Sequence, residues 1–316
     1  MGIPLDALVN GSRLEEMRSA IGLLRTWQEL TFRQPLLQNP SAFYHEKERI
    51  AAILVDNHLG KLARRVRMLG ENIDLDSPEF LVEWAEIVFF TLLWTRFDEL
   101  SDGLQLNLVY QSGPNITKKH LANEEHLLDR FVVVGQELGV EERLTRRSVY
   151  VYGLGSMRFF VILDYSFNQQ PFDFTYQVSR MYQGEVVVYP FPGSLRISPL
   201  SMNPTPGNAG FYEDIPALDM TATLEKYHEA LEINPFCSPF PAMIVLQSEY
   251  GNGKWRIVDS SRHEVKMAVL DHNVQAIFHA VCFRKPVRMM VLLTREGIRP
   301  LSYYNGEEMM GFEDRL

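Results

Sequence analysis

At Phe131 the apolar pattern of this chain changes its period. Before it, apolar residues recur at helical spacing. After it they come in short runs rich in Val, Tyr and Phe. The densest strand signal runs from Leu128 to Pro190. It contains Phe-Val-Val-Val at 131–134, Ser-Val-Tyr-Val-Tyr-Gly at 148–153, Ile-Leu-Asp-Tyr-Ser-Phe at 162–167 and Gly-Glu-Val-Val-Val-Tyr-Pro at 184–190. The expected class is α+β: an N-terminal helical domain, then a mainly antiparallel β C-terminal half with a few short helices. The expected boundaries are 1–128 for the helical domain, 129–200 for a β domain and 217–316 for a small α+β domain. The Pro- and Gly-rich stretch Pro199–Pro216, with Pro204, Pro206, Gly207 and Gly210, reads as a loop between the last two.

In the helical part, Ser12 and Glu15 form a capping box ahead of Leu14, Met17, Ile21, Leu24 and Trp27. Pro35 and Pro40 break that pattern. A second helix is expected from about Phe43 to Leu69, with Gly70 past its end. Ser77-Pro78-Glu79 signals a helix start: a cap, a proline in the first turn and an acid at the positive dipole end. The helix it opens is apolar nearly all round, which predicts a central position. Leu104–Tyr110 and Lys118–Leu127 are shorter helical candidates.

Strands are expected at Phe131–Gln136, Arg146–Tyr152, Arg158–Phe167 and Glu185–Tyr189, with a turn at Gly153-Leu154-Gly155-Ser156. Thr221 or Thr223 is placed to cap a helix through Leu231. Ala242–Gln247, Lys254–Val258 and Glu264–Met267 read as a meander around Gly251-Asn252-Gly253. Asp271–Val281 reads as a helix. Val287–Thr294 and Ile298–Tyr303 read as a hairpin around Glu296-Gly297.

The formal net charge of −9 argues against a protein that grips phosphate backbones. The only cysteines, Cys237 and Cys282, stand among apolar residues and point to buried thiols in a reducing compartment. No membrane span is expected: the apolar segment Ile87–Trp94 is short and flanked by Glu86 and Arg96. The expected location is cytoplasmic.

Chemistry-bearing patterns are scarce. Gly153-x-Gly155 lies between strands, without the helix N-terminus a dinucleotide loop needs. The eight histidines show no metal-ligand spacing, so neither a metal nor a cofactor is expected. No catalytic set is assigned. Asp164 and Asp173 flank an aromatic turn and offer a carboxylate pair, for which strand-end and turn roles are the simpler reading. Lys61, Arg64, Arg65 and Arg67 form the densest basic cluster, either a solvated, acid-paired face or a binding patch for an anion, a nucleic acid or an acidic partner.

Several segments carry a resemblance. They are Ala51–Asp56 with Leu62–Arg67, Asp98-Glu99-Leu100 with Leu104-Gln105, the 128–190 block, and the ending Thr294-Arg295-Glu296-Gly297-Ile298-Arg299-Pro300-Leu301-Ser302. Over residues 14–312 the chain resembles the region that follows the zinc finger in bacterial SWIM zinc-finger proteins. It has no finger itself, because two distant cysteines cannot supply the Cys-x-Cys and Cys-x-His ligands. The resemblance implies a non-enzymatic protein-interaction or adaptor component. Its implied partners are a MoxR-type AAA+ ATPase and a von Willebrand factor A domain protein; nucleic acid is not expected as a partner. The alternatives are a hydrolase with a carboxylate or histidine site between the halves, and a nucleic-acid-binding accessory protein.

Overall fold

A computed structural model describes residues 2–33, 39–71, 73–141, 144–168, 170–206, 212–268 and 270–312. Pro35, Gly207 and Gly210 lie outside them. The fold is α+β, with helices concentrated in the N-terminal half and mainly antiparallel sheets in the C-terminal half. The residues group into two compact units, Met1–Glu124 with Pro190–Pro192, and Glu125–Tyr189 with Gly193–Leu316. The expected β domain and small α+β domain both fall within the second.

The first unit contains α1 (Leu5–Leu8), α2 (Gly11–Arg33), α3 (Pro40–Asp56), α4 (Gly60–Met68), α5 (Pro78–Thr95), α6 (Asp102–Ser112) and α7 (Lys118–Leu121). Its core is aromatic. Trp27 lies 5.8 Å from Phe43 and 5.2 Å from Trp84, and Phe43 lies 5.7 Å from Phe80, centroid to centroid. Such ring pairs add attraction beyond the area they bury.

Local signals are met in part. Ser77 caps α5 as expected, accepting from the Phe80 N–H at 3.2 Å, and Gly70 takes the left-handed φ of 72° that follows a helix end. The helix expected over 43–69 is two helices. His58 stands at φ 64°, and the Asn57 amide donates to the Ile53 carbonyl at 2.8 Å, so the chain turns between α3 and α4. Pro40 opens α3 behind the cap Asn39 instead of ending a helix. α2 starts before the Ser12 box, at Gly11, with Asn10 Oδ1 accepting from the Arg13 N–H at 2.9 Å. Helix α7 stops at Leu121; by His126 the chain is already a strand paired with Val187.

In the second unit, β1 (His126–Glu141), β2 (Leu144–Gly153), β3 (Arg158–Phe167), β4 (Met181–Val188) and β5 (Arg196–Pro204) close a barrel in the order β1-β2-β3-β5-β4. β3 and β5 are parallel, and the other neighbours antiparallel. This is the strand order of an OB-type Greek-key barrel. Strand β5 corrects the loop expected over Pro199–Pro216. Pro199 sits at a register shift of the β4–β5 ladder and Pro204 ends the strand, two places where a missing N–H is tolerated.

The chain continues through α8 (Met220–Ile233), β6 (Phe240–Gly251), β7 (Lys254–Asp259), α9 (His272–Cys282), β8 (Val287–Thr294), β9 (Gly297–Tyr304) and β10 (Met309–Gly311). These strands form one antiparallel sheet, β10-β9-β8-β6-β7. Asp219, not Thr221 or Thr223, caps α8, accepting from the Ala222 N–H at 2.8 Å. Glu264–Met267 makes isolated bridges rather than a strand.

The unbroken apolar runs now have a cause. Phe131 and Val133 fill the barrel with Val149, Val151, Phe160 and Ile162. Val132 and Val134 point out of it and pack on Met243, Met290, Leu292 and Leu301 of the sheet. In β8, Met289, Val291 and Leu293 turn to the opposite face, against Phe278 and Cys282 of α9. A strand covered on both faces needs apolar residues at every position, so alternation disappears. Gly135 allows the close approach: a Cβ there would stand 2.9 Å from the Leu301 Cβ. Ser302 Oγ donates to the Val134 carbonyl, and Arg299 pairs with Glu137, pinning the sheet to the barrel. Among the described residues no helix is long and apolar enough to cross a membrane.

Candidate functional site

The basic cluster of α4 is spread over separate contacts. Lys61 is half-buried; its ammonium donates to the carbonyls of Tyr110 (2.7 Å) and Pro114 (3.1 Å). It also lies 3.7 Å from the Tyr110 ring centroid. Arg65 reaches the Gln111 amide oxygen at 3.4 Å and lies over Phe90. Arg67 pairs with Glu48 of α3 at 3.2 Å. Arg64 is exposed. Helical spacing gathers these charges, but their contacts spend Lys61, Arg65 and Arg67 on joining helices within the first unit.

Asp164 accepts from the Arg147 guanidinium at 2.5 Å, and the same nitrogen donates to the Phe174 carbonyl at 2.6 Å. Arg147 also lies 4.1 Å from the Phe172 ring centroid and 5.3 Å from that of Tyr176, with 7% of its side chain exposed. Asp164 is therefore the counter-ion of a buried arginine that ties the 172–176 segment to the barrel. Asp173 is exposed on that segment.

Ser248 and His279 meet at 2.6 Å through Oγ and Nδ1, a pairing of nucleophile and base types that no sequence spacing reveals. Ser248 is wholly buried, and the His279 ring is stacked under Trp255 at 4.1 Å. Burial holds the imidazole below its ordinary pKa. The pair pins α9 to the sheet. Among the described residues no group of three or more His, Cys, Asp or Glu side chains is placed to hold a metal. Cys237 and Cys282 are buried free thiols.

OB-type barrels offer the outer face of β2 and β3 to oligonucleotides or oligosaccharides. Here Tyr150, Tyr152, Phe159 and Val161 of that face pack into the cluster shared with Met243, Met290 and Leu301. The sheet of the same unit occupies the surface on which bases would stack. Tyr165 and Phe167, farther along β3, remain exposed.

One surface departs from its expectation. Helix α5 is not central. Its Phe80, Trp84, Ile87, Thr91 and Trp94 face the core, but Leu81, Val82, Phe89 and Leu92 are 51%, 47%, 47% and 47% exposed. With exposed Ala85, positions 81, 85, 89 and 92 fall on one stripe at the spacing of a helix-pairing seam. Glu79 and Glu86 stand beyond Val82 on one side of it, while Glu83 turns away and accepts from the Gly70 N–H at 3.1 Å. The signal was present in the apolar character of the whole helix, which reads equally as complete burial or as two apolar faces.

No family model, curated protein or solved structure matches this chain.

Proposed function

We propose that this chain is a non-enzymatic interaction component, an adaptor that docks on partner proteins of a MoxR-type AAA+ ATPase and von Willebrand factor A system. The observation that supports docking is the open apolar stripe Leu81, Ala85, Phe89 and Leu92 of α5. Large exposed side chains aligned along one helix leave unburied area that a partner helix covers favourably, at about 25 cal/mol per Å2 removed from water. The stripe suits helix-in-groove recognition. Glu79 and Glu86 on one side of it select a partner helix with basic residues along one edge.

The identity of the partner system follows from the resemblance of residues 14–312 to the region behind the SWIM finger. A cytoplasmic location goes with it, since two buried unpaired thiols suit a reducing compartment.

Co-purification tests the reading. The tagged full chain is mixed with a MoxR-type ATPase and with a von Willebrand factor A protein from the same genome, and complexes are separated by size. A complex is expected at micromolar concentrations, lost in Leu81→Glu/Phe89→Glu while the melting temperature holds. Absence of a complex with the unaltered chain overturns the assignment. A complex indifferent to the double substitution moves docking away from α5.

A further inference from the structure

We propose that the outer edge of β7 accepts an extended peptide from a partner protein, one that alternates acidic with apolar side chains. This site lies in the second unit and shares no residue with α5, so it stands or falls independently of the adaptor reading.

The backbone provides the first argument. Gly251 pairs with Lys254 across the tight turn Asn252-Gly253, both turn residues in the left-handed region at φ 53° and 75°. That register turns the polar backbone groups of Lys254, Arg256 and Val258 toward β6, and those of Trp255 and Ile257 outward. The far half of the outer edge is covered: Val265 donates to the Ile257 carbonyl at 2.8 Å, and Asp259 to the His263 carbonyl at 3.0 Å. The near half, Lys254 to Arg256, is exposed. An open edge is a template for strand addition.

The two faces of the hairpin differ in chemistry. On one, Trp255 lies 5.2 Å from Tyr250 and 5.6 Å from Phe283, with the three rings 46%, 52% and 42% exposed. His279 beneath Trp255 is fixed by Ser248, so the platform is held before any ligand arrives. On the other stand Lys254 and Arg256; a cavity of about 400 Å3 runs from Arg256 over Gln247, Glu249, Tyr250 and Gly251 to Arg284, whose N–H donates to the Ser248 carbonyl across β6. Glu249, the acid in that lining, is engaged by Arg262 at 2.7 Å and by Gln247 at 3.2 Å, and is only loosely paired with Arg256 at 3.9 Å.

Side chains of an added strand alternate between faces. Every second residue meets the aromatic platform, and those between meet Lys254 and Arg256, which share the other face of β7. The occupant is therefore apolar at one set of positions and acidic at the other. Lysine on an edge ordinarily guards against pairing; toward an acidic strand, Lys254 attracts instead.

The test uses the full chain and two fluorescein-labelled peptides of equal length, one alternating Glu and Val, the other Lys and Val. The Glu/Val peptide is expected to saturate the chain and the Lys/Val peptide to fail. Lys254→Glu/Arg256→Glu is expected to raise Kd on the order of tenfold or more. Bound Glu/Val peptide is expected to slow hydrogen exchange at the Trp255 amide. The Phe89→Glu variant, altered only on α5, is expected to bind that peptide normally. No saturation by Glu/Val, binding that survives the double charge reversal, or unchanged exchange at Trp255 each overturns the proposal.

Discussion

The ammonium of Lys61 donates to the carbonyl of Tyr110 at 2.7 Å and lies 3.7 Å from the centroid of its ring. The last carbonyls of a helix have no partner within it, and Lys61 supplies one at the end of α6. Lys61→Met is expected to lower stability by about 1–3 kcal/mol, because it strands two half-buried acceptors and removes a cation–π contact. Arg64→Ala, an exposed change on the same helix, is expected to cost about 0.5 kcal/mol or less. Urea unfolding of both variants checks the contrast. Equal small effects would return Lys61 to the solvated face.

Arg147 and Asp164 should behave as a structural pair. Asp164→Ala leaves a buried guanidinium with one carbonyl and two rings. The expected loss is about 2–3 kcal/mol, below the range for fully buried pairs because 31% of the Asp164 side chain remains exposed. A double-mutant cycle with Arg147→Met is expected to show coupling of at least about 1 kcal/mol. Additive single effects would count against the pair.

Gly135→Ala is expected to destabilise by about 1–3 kcal/mol, since the new methyl meets the Leu301 side chain. Combined with Leu301→Ala, the loss should be less than the sum of the single effects, because the shortened side chain makes room for the methyl. Thermal melts of the three variants decide the sign of the coupling.

His279 makes stability depend on pH. Burial lowers its folded pKa below the value near 6.5 of the unfolded chain. The unfolded state then binds the proton more readily. Stability from this group is complete above the unfolded pKa and is lost as pH falls from there toward the folded value. His279→Asn should flatten the decline in Tm between about pH 7 and pH 5. An unchanged slope would assign the decline to other groups.

Cys282 is fully buried, and burial pushes its thiol up to about 12. An aromatic disulfide reagent at neutral pH is expected to leave the native chain unlabelled and to react with Cys237 and Cys282 in urea. Rapid native labelling at Cys282 would show that α9 does not stay packed on the sheet.

Legibility followed the range of the interaction. Ser77 and Gly70 are readable because a cap and a helix end involve neighbours in the chain. Helical spacing groups Lys61, Arg64 and Arg65, yet the acceptors of Lys61 stand 49 and 53 positions away. Ser248 and His279 are 31 apart, on different elements. Strand β5 was hidden because its prolines mark a loop wherever the pairing partner is unknown, and its ladder with β4 is what makes them tolerable.

From residue order alone come the α+β class, the change of period at Phe131, the turn at Asn252-Gly253 and the cap at Ser77, each set by short-range sterics and hydrogen bonding. The tertiary arrangement alone decided that β1 is covered on both faces at Phe131–Val134, that Tyr150, Tyr152 and Phe159 on the outside of the barrel are packed under the sheet, and that α5 keeps an apolar stripe in the open. Periodicity records how apolar a segment is. Which of its faces meets water depends on the distant elements that pack against it.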